Sequence, residues 1–314
     1  LTQEDENRVS FRRRVGRIVE DEQFGAFDLY SRPNGGLNVF VSLRQLNALL
    51  GYQDRLWANM LLFGGSVETT QVVATLPQVW RLEDAGMGLH LLDWSNELEL
   101  RSRDVFINDT IAARIQNTVA GGRGVMTYFV NEFRCGDRSV PYSFISALEG
   151  KGQEGAFAAL TQNEMIINEW LADQLKATEG DRIEVRYYVP SQGKRLSEQR
   201  ETFVVKSVVP MMGTGADASL MPAIESMADV ENCRDWKAGI PIDLSKIRPE
   251  DEQYWDKYKG APKAFVSMQA AKLLWSSRFG TLTAIRFSVR DYDIQTLRAK
   301  ILSAIEPWQA GFMV

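Results

Sequence analysis

Asn163-Glu-Met-Ile-Ile-Asn-Glu-Trp-Leu-Ala-Asp-Gln-Leu-Lys-Ala-Thr-Glu-Gly-Asp-Arg-Ile-Glu-Val-Arg-Tyr-Tyr-Val189 reads as strand, short helix, tight turn and strand. Met165, Ile166 and Ile167 form a short apolar run, and Asn168 stands where an N-cap side chain accepts a free amide hydrogen of the first helical turn. Trp170, Leu171, Ala172 and Leu175 share one helical face, while Glu169, Asp173 and Lys176 point to water. Gly180-Asp181 is expected to stop the helix, since glycine tolerates a left-handed turn. Ile183, Val185 and Tyr187 then alternate with Arg182, Glu184 and Arg186, the signature of a strand with one buried face.

Working outward, the chain has 314 residues, 45% hydrophobic and 25% charged, which suits two domains each large enough for its own core. A net charge of −5 gives no basic stripe for nucleic acid, and Arg12-Arg13-Arg14 reads as a solvated strand face. No apolar run reaches the roughly 18–20 residues of a membrane span, and no signal peptide opens the chain. Leu1 is not a start methionine, which fits an excised fragment or a processed secreted protein. Cys135 and Cys233 are too few for a disulfide scaffold, and nothing in the sequence decides whether they pair.

Before the central stretch, the pattern predicts strands at 11–19, 39–42 and 57–63, helices at 43–50 and 67–79 with an interruption near Pro77, a hairpin over 87–92 and 97–103, a helix from Asp109 to Val119, and strands at 125–134 and 142–147. After it come a hairpin with its tip at 191–200 and a long insertion over 211–260 holding two short helices. Pro249, Glu250, Asp251 and Glu252 mark the start of the second of these, and Lys257, Lys259 and Gly260 its end. Strand, helix, strand and helix follow at 263–267, 268–276, 282–289 and 294–305.

The last four elements repeat earlier ones. Phe40-Val-Ser-Leu43 reappears 225 residues on as Phe265-Val-Ser-Met268, and the same offset carries Leu49 onto Leu274, Met60 onto Ile285, Leu62 onto Phe287, Val72 onto Leu297 and Leu76 onto Ile301. Val15 to Val19 parallels Val205 to Val209 at an offset of 190. Identities are few, so chance matching of two generic patterns stands as the alternative. The expected fold is α+β: two related lobes of strand-helix-strand units on mostly antiparallel sheets, with a long irregular insertion in the second. The first lobe covers 1–82 and reads as truncated at its N-terminus, and the second covers 83–314. If the repeat is real, Phe40 and Phe265 should occupy equivalent buried positions.

Candidate chemistry is sparse. Gly213-Thr-Gly-Ala-Asp-Ala218 matches a dinucleotide fingerprint with Ala last, but Pro210-Met-Met212 separates it from its strand and no second apolar parallel strand follows. His90, the single histidine, lies inside a strand without a nucleophile motif. Asp229, Glu231 and Asp235, and Glu250 to Glu252, read as solvated loop or helix-start charges. Trp236, Tyr254, Trp255 and Tyr258 read as the insertion's own small core, with a ligand groove as the alternative. No catalytic, cofactor-binding or metal-binding residue is assigned, and no cofactor is expected.

The central stretch, with its apolar strand ending in Asn168, its Leu171-Ala172 helix start and its Gly180-Asp181, resembles the extracytoplasmic domain of FtsX-like ABC-transporter permeases of the MacB type with a large ectodomain. Tyr128-Phe-Val-Asn-Glu-Phe133, Asn232-Cys-Arg-Asp-Trp236 and Pro262-Lys-Ala-Phe-Val-Ser267 carry the same resemblance. It implies a non-catalytic periplasmic part of a bacterial inner-membrane protein. The parent would be dimeric and would couple ATP hydrolysis by a cytoplasmic ATPase to export, lipoprotein handling or mechanical signalling. Its contacts would be envelope proteins or lipophilic or peptide cargo. A secreted or periplasmic binding module is the alternative class, and a nucleotide-dependent enzyme using the Gly213 loop a third.

Overall fold

The computed structural model describes residues 12–20, 23, 38–50, 58–63, 65–92, 94–150, 160–190, 196–222, 224, 227 and 241–314, and the chain divides into two units, 2–68 and 69–314. The division falls ahead of the 82/83 boundary read from sequence, because Leu76 and Trp80 pack with the core of the larger unit.

In the first unit, α1 (Leu43–Leu49) forms as expected. The strands expected at 11–19, 39–42 and 57–63 do not: residues 12–20, 38–42 and 58–63 carry no ladder, and Phe11 and Trp57 lie outside the described residues. A helix satisfies its backbone internally, whereas a strand needs a neighbour, and among the described residues none lies beside these segments.

The second unit opens with α2 (Thr69–Val79), which runs unbroken through Pro77, because a proline in the last turn removes little of the ladder. A 3-10 turn (Leu82–Ala85) follows, then β1 (Met87–Leu92), β2 (Glu97–Ser102), α3 (Asp109–Thr118), β3 (Arg123–Cys135), β4 (Arg138–Leu148), β5 (Glu164–Asn168), α4 (Glu169–Leu175), β6 (Arg182–Pro190) and β7 (Leu196–Val209). Beyond the insertion come α5 (Pro249–Tyr258), β8 (Ala264–Val266), α6 (Met268–Trp275), β9 (Ala284–Ser288) and α7 (Ile294–Ala304). The fold is α+β, with nine strands in one mostly antiparallel sheet of order β1-β2-β9-β3-β4-β8-β5-β7-β6. Among the described residues, only β4 with β8 and β5 with β7 run parallel.

The long strand β3 serves two sheets. Its C-terminal half pairs with β6 at Glu132↔Arg186, which closes β3-β4-β8-β5-β7-β6 into a six-stranded barrel, while Arg123 to Val125 pair with β9 and attach the β1-β2-β9 branch. One core joins Val130, Phe133, Ile167, Leu171 and Trp275 of the barrel and its helices. Another lies between the branch and α3 and α7, around Leu100, Ile115, Phe287 and Ile301.

The central stretch folds largely as its pattern dictates. Met165, Ile166 and Ile167 are all buried, as a continuous apolar run must be when ladders hold both edges of its strand, here β8 and β7. Asn168 caps α4 by accepting from Leu171 N at 2.9 Å. The helix stops earlier than Gly180, at Lys176, which adopts φ 52° and donates its N–H to Ala172 O and Asp173 O. Gly180, at φ 91°, shapes the turn into β6. The β6–β7 ladder extends to Pro190↔Leu196, so the hairpin tip is shorter than expected and 191–195 lie outside the described residues.

Candidate functional site at the insertion-barrel junction

Asn168 is the polar pivot of the barrel end. Its carboxamide oxygen holds the α4 N-terminus, and its NH2 group faces Tyr254 OH at 3.1 Å, Gly215 O at 3.4 Å and Pro262 O at 3.4 Å. Tyr254 OH in turn donates to Ala261 O at 3.0 Å. A fully buried amide is stable only when its donors and acceptor are paired, and this one draws its partners from four segments. Burial pushes the Tyr254 hydroxyl well above the ordinary phenol range, so it stays a neutral donor.

Beside it lies Lys263, an ammonium buried to 3% exposure. Its Nζ sits 4.1 Å from the Trp170 ring centre, 4.6 Å from that of Tyr254 and 3.7 Å from Asp251 Oδ1. Asp251 also takes two bonds from the Arg248 guanidinium, at 2.8 and 2.9 Å. That hydrogen bond holds Arg248 above its ordinary pKa against the opposing cost of burial. Aromatic faces and a shared carboxylate thus replace the water that a buried ammonium loses. The adjoining cavity, between Tyr142, Phe144, Ile247 and Trp255, has a volume of about 20 Å³, room for one water molecule. Through Asp251, Lys263 clamps the insertion helix α5 to the barrel.

A second charged cluster pins the start of the insertion to the branch. Arg286 of β9 bonds Asp217 at 2.9 Å, Ser219 Oγ at 2.9 Å and Glu99, and lies 3.6 Å from Glu97. Arg101 reaches Glu99 and Ser219 O, and Arg123 pairs with Glu97. Burial opposes the charge on Arg286, but Glu99 and Asp217 outweigh it and raise its pKa. Sequence reading assigned no role to Lys263, Arg286, Glu99 or Asp217. The available signal was a charge in each of the apolar runs Lys263-Ala-Phe-Val266, Leu98-Glu-Leu100 and Ala284-Ile-Arg-Phe287.

The sequence candidates fall as follows. Gly213 to Ala216 form a 3-10 turn, and a side chain at Gly215 would place its Cβ 2.3 Å from Pro210 O. Close backbone packing therefore accounts for that glycine, and β7 is followed by no second parallel strand among the described residues. His90 is an exposed residue of β1 opposite Glu99 in register; burial first and Arg101 second lower its pKa. Of the carboxylates, Asp251 is buried in the clamp while Glu250 is exposed. Tyr254 and Trp255 are buried, as expected of an insertion core, and Trp255 packs in a cluster with Tyr142 and Phe144. Asp229, Glu231, Cys233, Asp235 and Trp236 lie outside the described residues, so the Cys135–Cys233 pairing does too. Cys135 is half-buried, and among the described residues no three His, Cys, Asp or Glu side chains are grouped to hold a metal. No helix among them is long and apolar enough to cross a membrane.

No protein-family profile matches the chain, and no curated protein does. Among solved structures it is similar to a domain of a "putative Permease protein" from Porphyromonas gingivalis, at 12% identity and a TM-score of 0.27, over 55% of this chain and 58% of that one. The chain thus spans little more than half of that domain, and a likeness of this extent fixes neither fold nor function.

Proposed function

We propose that this chain is a non-catalytic extracytoplasmic domain of an FtsX-like ABC-transporter permease, passing motion between the membrane part of its parent and envelope partners or cargo. The observation that carries the reading is the Asn163–Val189 unit. The residues that bear the family resemblance are also those that seat Asn168 at the junction of barrel and insertion. Two buried charged clamps, one on Lys263 and one on Arg286, fasten the insertion to the barrel and to the branch, so a push on the insertion would be transmitted rather than absorbed. ATP hydrolysis in this reading belongs to a separate cytoplasmic ATPase, and the parent works as a dimer.

Alkaline phosphatase and green fluorescent protein, fused in turn after Gly136 in the β3–β4 turn of the full-length parent, test the location. Phosphatase activity with a dark fluorescent fusion is expected. A fluorescent fusion without phosphatase activity overturns the reading, as does a parent gene lacking apolar runs of about 20 residues.

A further inference from the structure

One aromatic residue stands in a backbone conformation that its type rarely adopts. Tyr142 of β4 has φ 37°, in the left-handed region where glycine and asparagine are at ease and a bulky side chain is strained. The distortion is confined to one rung of the β3–β4 ladder. Pairing runs from Val125↔Leu148 to Val130↔Ser143, omits Asn131 and Tyr142, and resumes at Glu132↔Pro141. On the facing strand Asn131 gives its NH2 group to Glu198 at 2.8 Å, while its buried Oδ1 accepts no hydrogen bond among the described residues. Backbone strain and an unpaired acceptor thus meet at a single rung, so the surroundings must hold it there.

Side-chain alternation on both strands changes sides at that rung. On β4, Ile145 and Ala147 enter the barrel core while Phe144 and Tyr142 join the insertion's cluster; past the rung it is Val140 that enters the barrel core. On β3, Met126 and Val130 give way to Phe133. In a regular strand residues two apart share a face, so odd and even positions reach one core only through such a slip. Immediately beyond it, at Glu132↔Arg186, β3 takes up β6 and closes the barrel. The groups that hold Tyr142 come largely from the insertion. Its hydroxyl accepts from Asp243 N at 2.7 Å, and it shares a cluster with Met221, Met227, Ile247 and Trp255; on its own sheet its ring stacks on Phe129 at 6.0 Å.

We infer that Tyr142 is a strained joint through which docking of the insertion holds the barrel closed. With the insertion seated, the side chain is fixed in its cluster and the backbone at positive φ, which turns β3 and β4 toward β6. With the insertion displaced, Tyr142 relaxes to extended backbone, the slip is lost and the β3–β6 seam opens. A glycine would adopt φ 37° without strain but would give the insertion nothing to hold. The inference rests on the motion-passing role proposed above only for its use, and it is tested on the chain itself, so its failure leaves the location of the parent undecided and the reverse holds too.

Hydrogen exchange in the 314-residue chain, read by mass spectrometry, supplies the test. Ile247 belongs to the insertion's cluster and not to the barrel core. Ile247→Ala should speed exchange in peptides covering 132–134 and 184–186 at least about tenfold, and leave those over Leu89 and Leu100 of the β1–β2 ladder unchanged. Tyr142→Phe, which removes only the bond from Asp243 N, should speed the same seam peptides about threefold. In Tyr142→Gly, whose backbone is at ease at positive φ, adding Ile247→Ala should change seam exchange less than about twofold. Seam peptides indifferent to Ile247→Ala or to Tyr142→Phe, equal acceleration over the β1–β2 ladder, or an undiminished response in the glycine background would each overturn the joint. If Tyr142→Gly does not fold, the other two variants decide.

Discussion

The described parts of residues 40–86 and residues 265–311 share one helical plan, and their apolar extended segments end in opposite states. Phe265 is 1% exposed and Phe40 55%; Phe287 is fully buried and Leu62 68% exposed. The helices agree because each is specified by its own few residues and their periodicity and needs no neighbour to close its backbone bonds, and Gly86 and Gly311 close the two 3-10 turns alike. The strands differ because a ladder is a contract between segments. β8 and β9 find β4, β5, β2 and β3, while 39–41 and 59–63 find no pairing strand among the described residues. The buried position expected for Phe40 by analogy with Phe265 is not observed: sequence similarity transfers local conformation, but burial depends on what stands opposite.

The largest expected effect breaks this comparison at its centre. Phe265→Ala should cost about 3–5 kcal/mol through lost burial and a residual cavity, whereas Phe40→Ala should stay within about 0.5 kcal/mol in the isolated chain. Urea unfolding of both variants measures the difference, and equal midpoints would show that the first copy is buried after all. Next comes the charge that distinguishes the copies. Arg286→Leu leaves Asp217 buried without its cation and Glu99 with Arg101 alone, and should cost about 3–5 kcal/mol, while Leu61→Arg, at an exposed site, should cost under about 0.5 kcal/mol. Adding Glu99→Leu and Asp217→Asn to Arg286→Leu should recover part of the loss, because it is the orphaned carboxylates that are costly.

These contrasts mark what could be read from the chain alone. Helix starts were legible to within two residues, since Asn108, Asn168, Ser267 and Asp293 each cap where a polar residue precedes an apolar period. Strands β3 and β4 and the central strand β5 were legible from their apolar content, though not that β3 and β4 pair as a hairpin. Barrel closure was not, because nothing local tells that the two halves of β3 serve different sheets. The clamps were hidden for the same reason. Asp217 and Arg286 meet across 69 positions of sequence, and Lys263 finds Trp170 only once β5 and β8 have paired. The Gly213 loop shows the converse, a motif-like spacing whose Gly215 is required by the nearby Pro210 carbonyl.

A smaller effect sharpens the comparison at the helix starts. Ser267 accepts from Ala270 N at 3.1 Å, whereas Ser42 caps α1 without a side-chain bond. Ser267→Ala should therefore cost about 1 kcal/mol and Ser42→Ala close to nothing. Denaturation midpoints of the two variants resolve this, and a reversed order would mean that the first copy's helix is the better anchored.

The smallest effect is pH-dependent and lies on the helices themselves. Lys272 on α6 bonds Glu149 at 2.9 Å, and the corresponding residue on α1 is Asn47, which turns back on Leu43 O at 2.9 Å. Desolvation works to raise the pKa of Glu149, but bonds from Lys272, Gln116 and the Gly124 N–H together outweigh it, so the folded-state value lies below the ordinary 4.5. A carboxyl depressed on folding contributes stability that is fully present above its unfolded pKa and is lost as pH falls through the folded one. Glu149→Gln should thus leave the protein somewhat less stable at pH 7 and with a shallower loss of stability below about pH 4.5. Lys272→Met should weaken the depression without abolishing it, since Gln116 and Gly124 remain, and Asn47→Leu should not move the acid limb at all. Urea midpoints measured between pH 3 and 7 would show the three slopes, and an unchanged slope in Glu149→Gln would mean that the acid sensitivity belongs to other carboxylates.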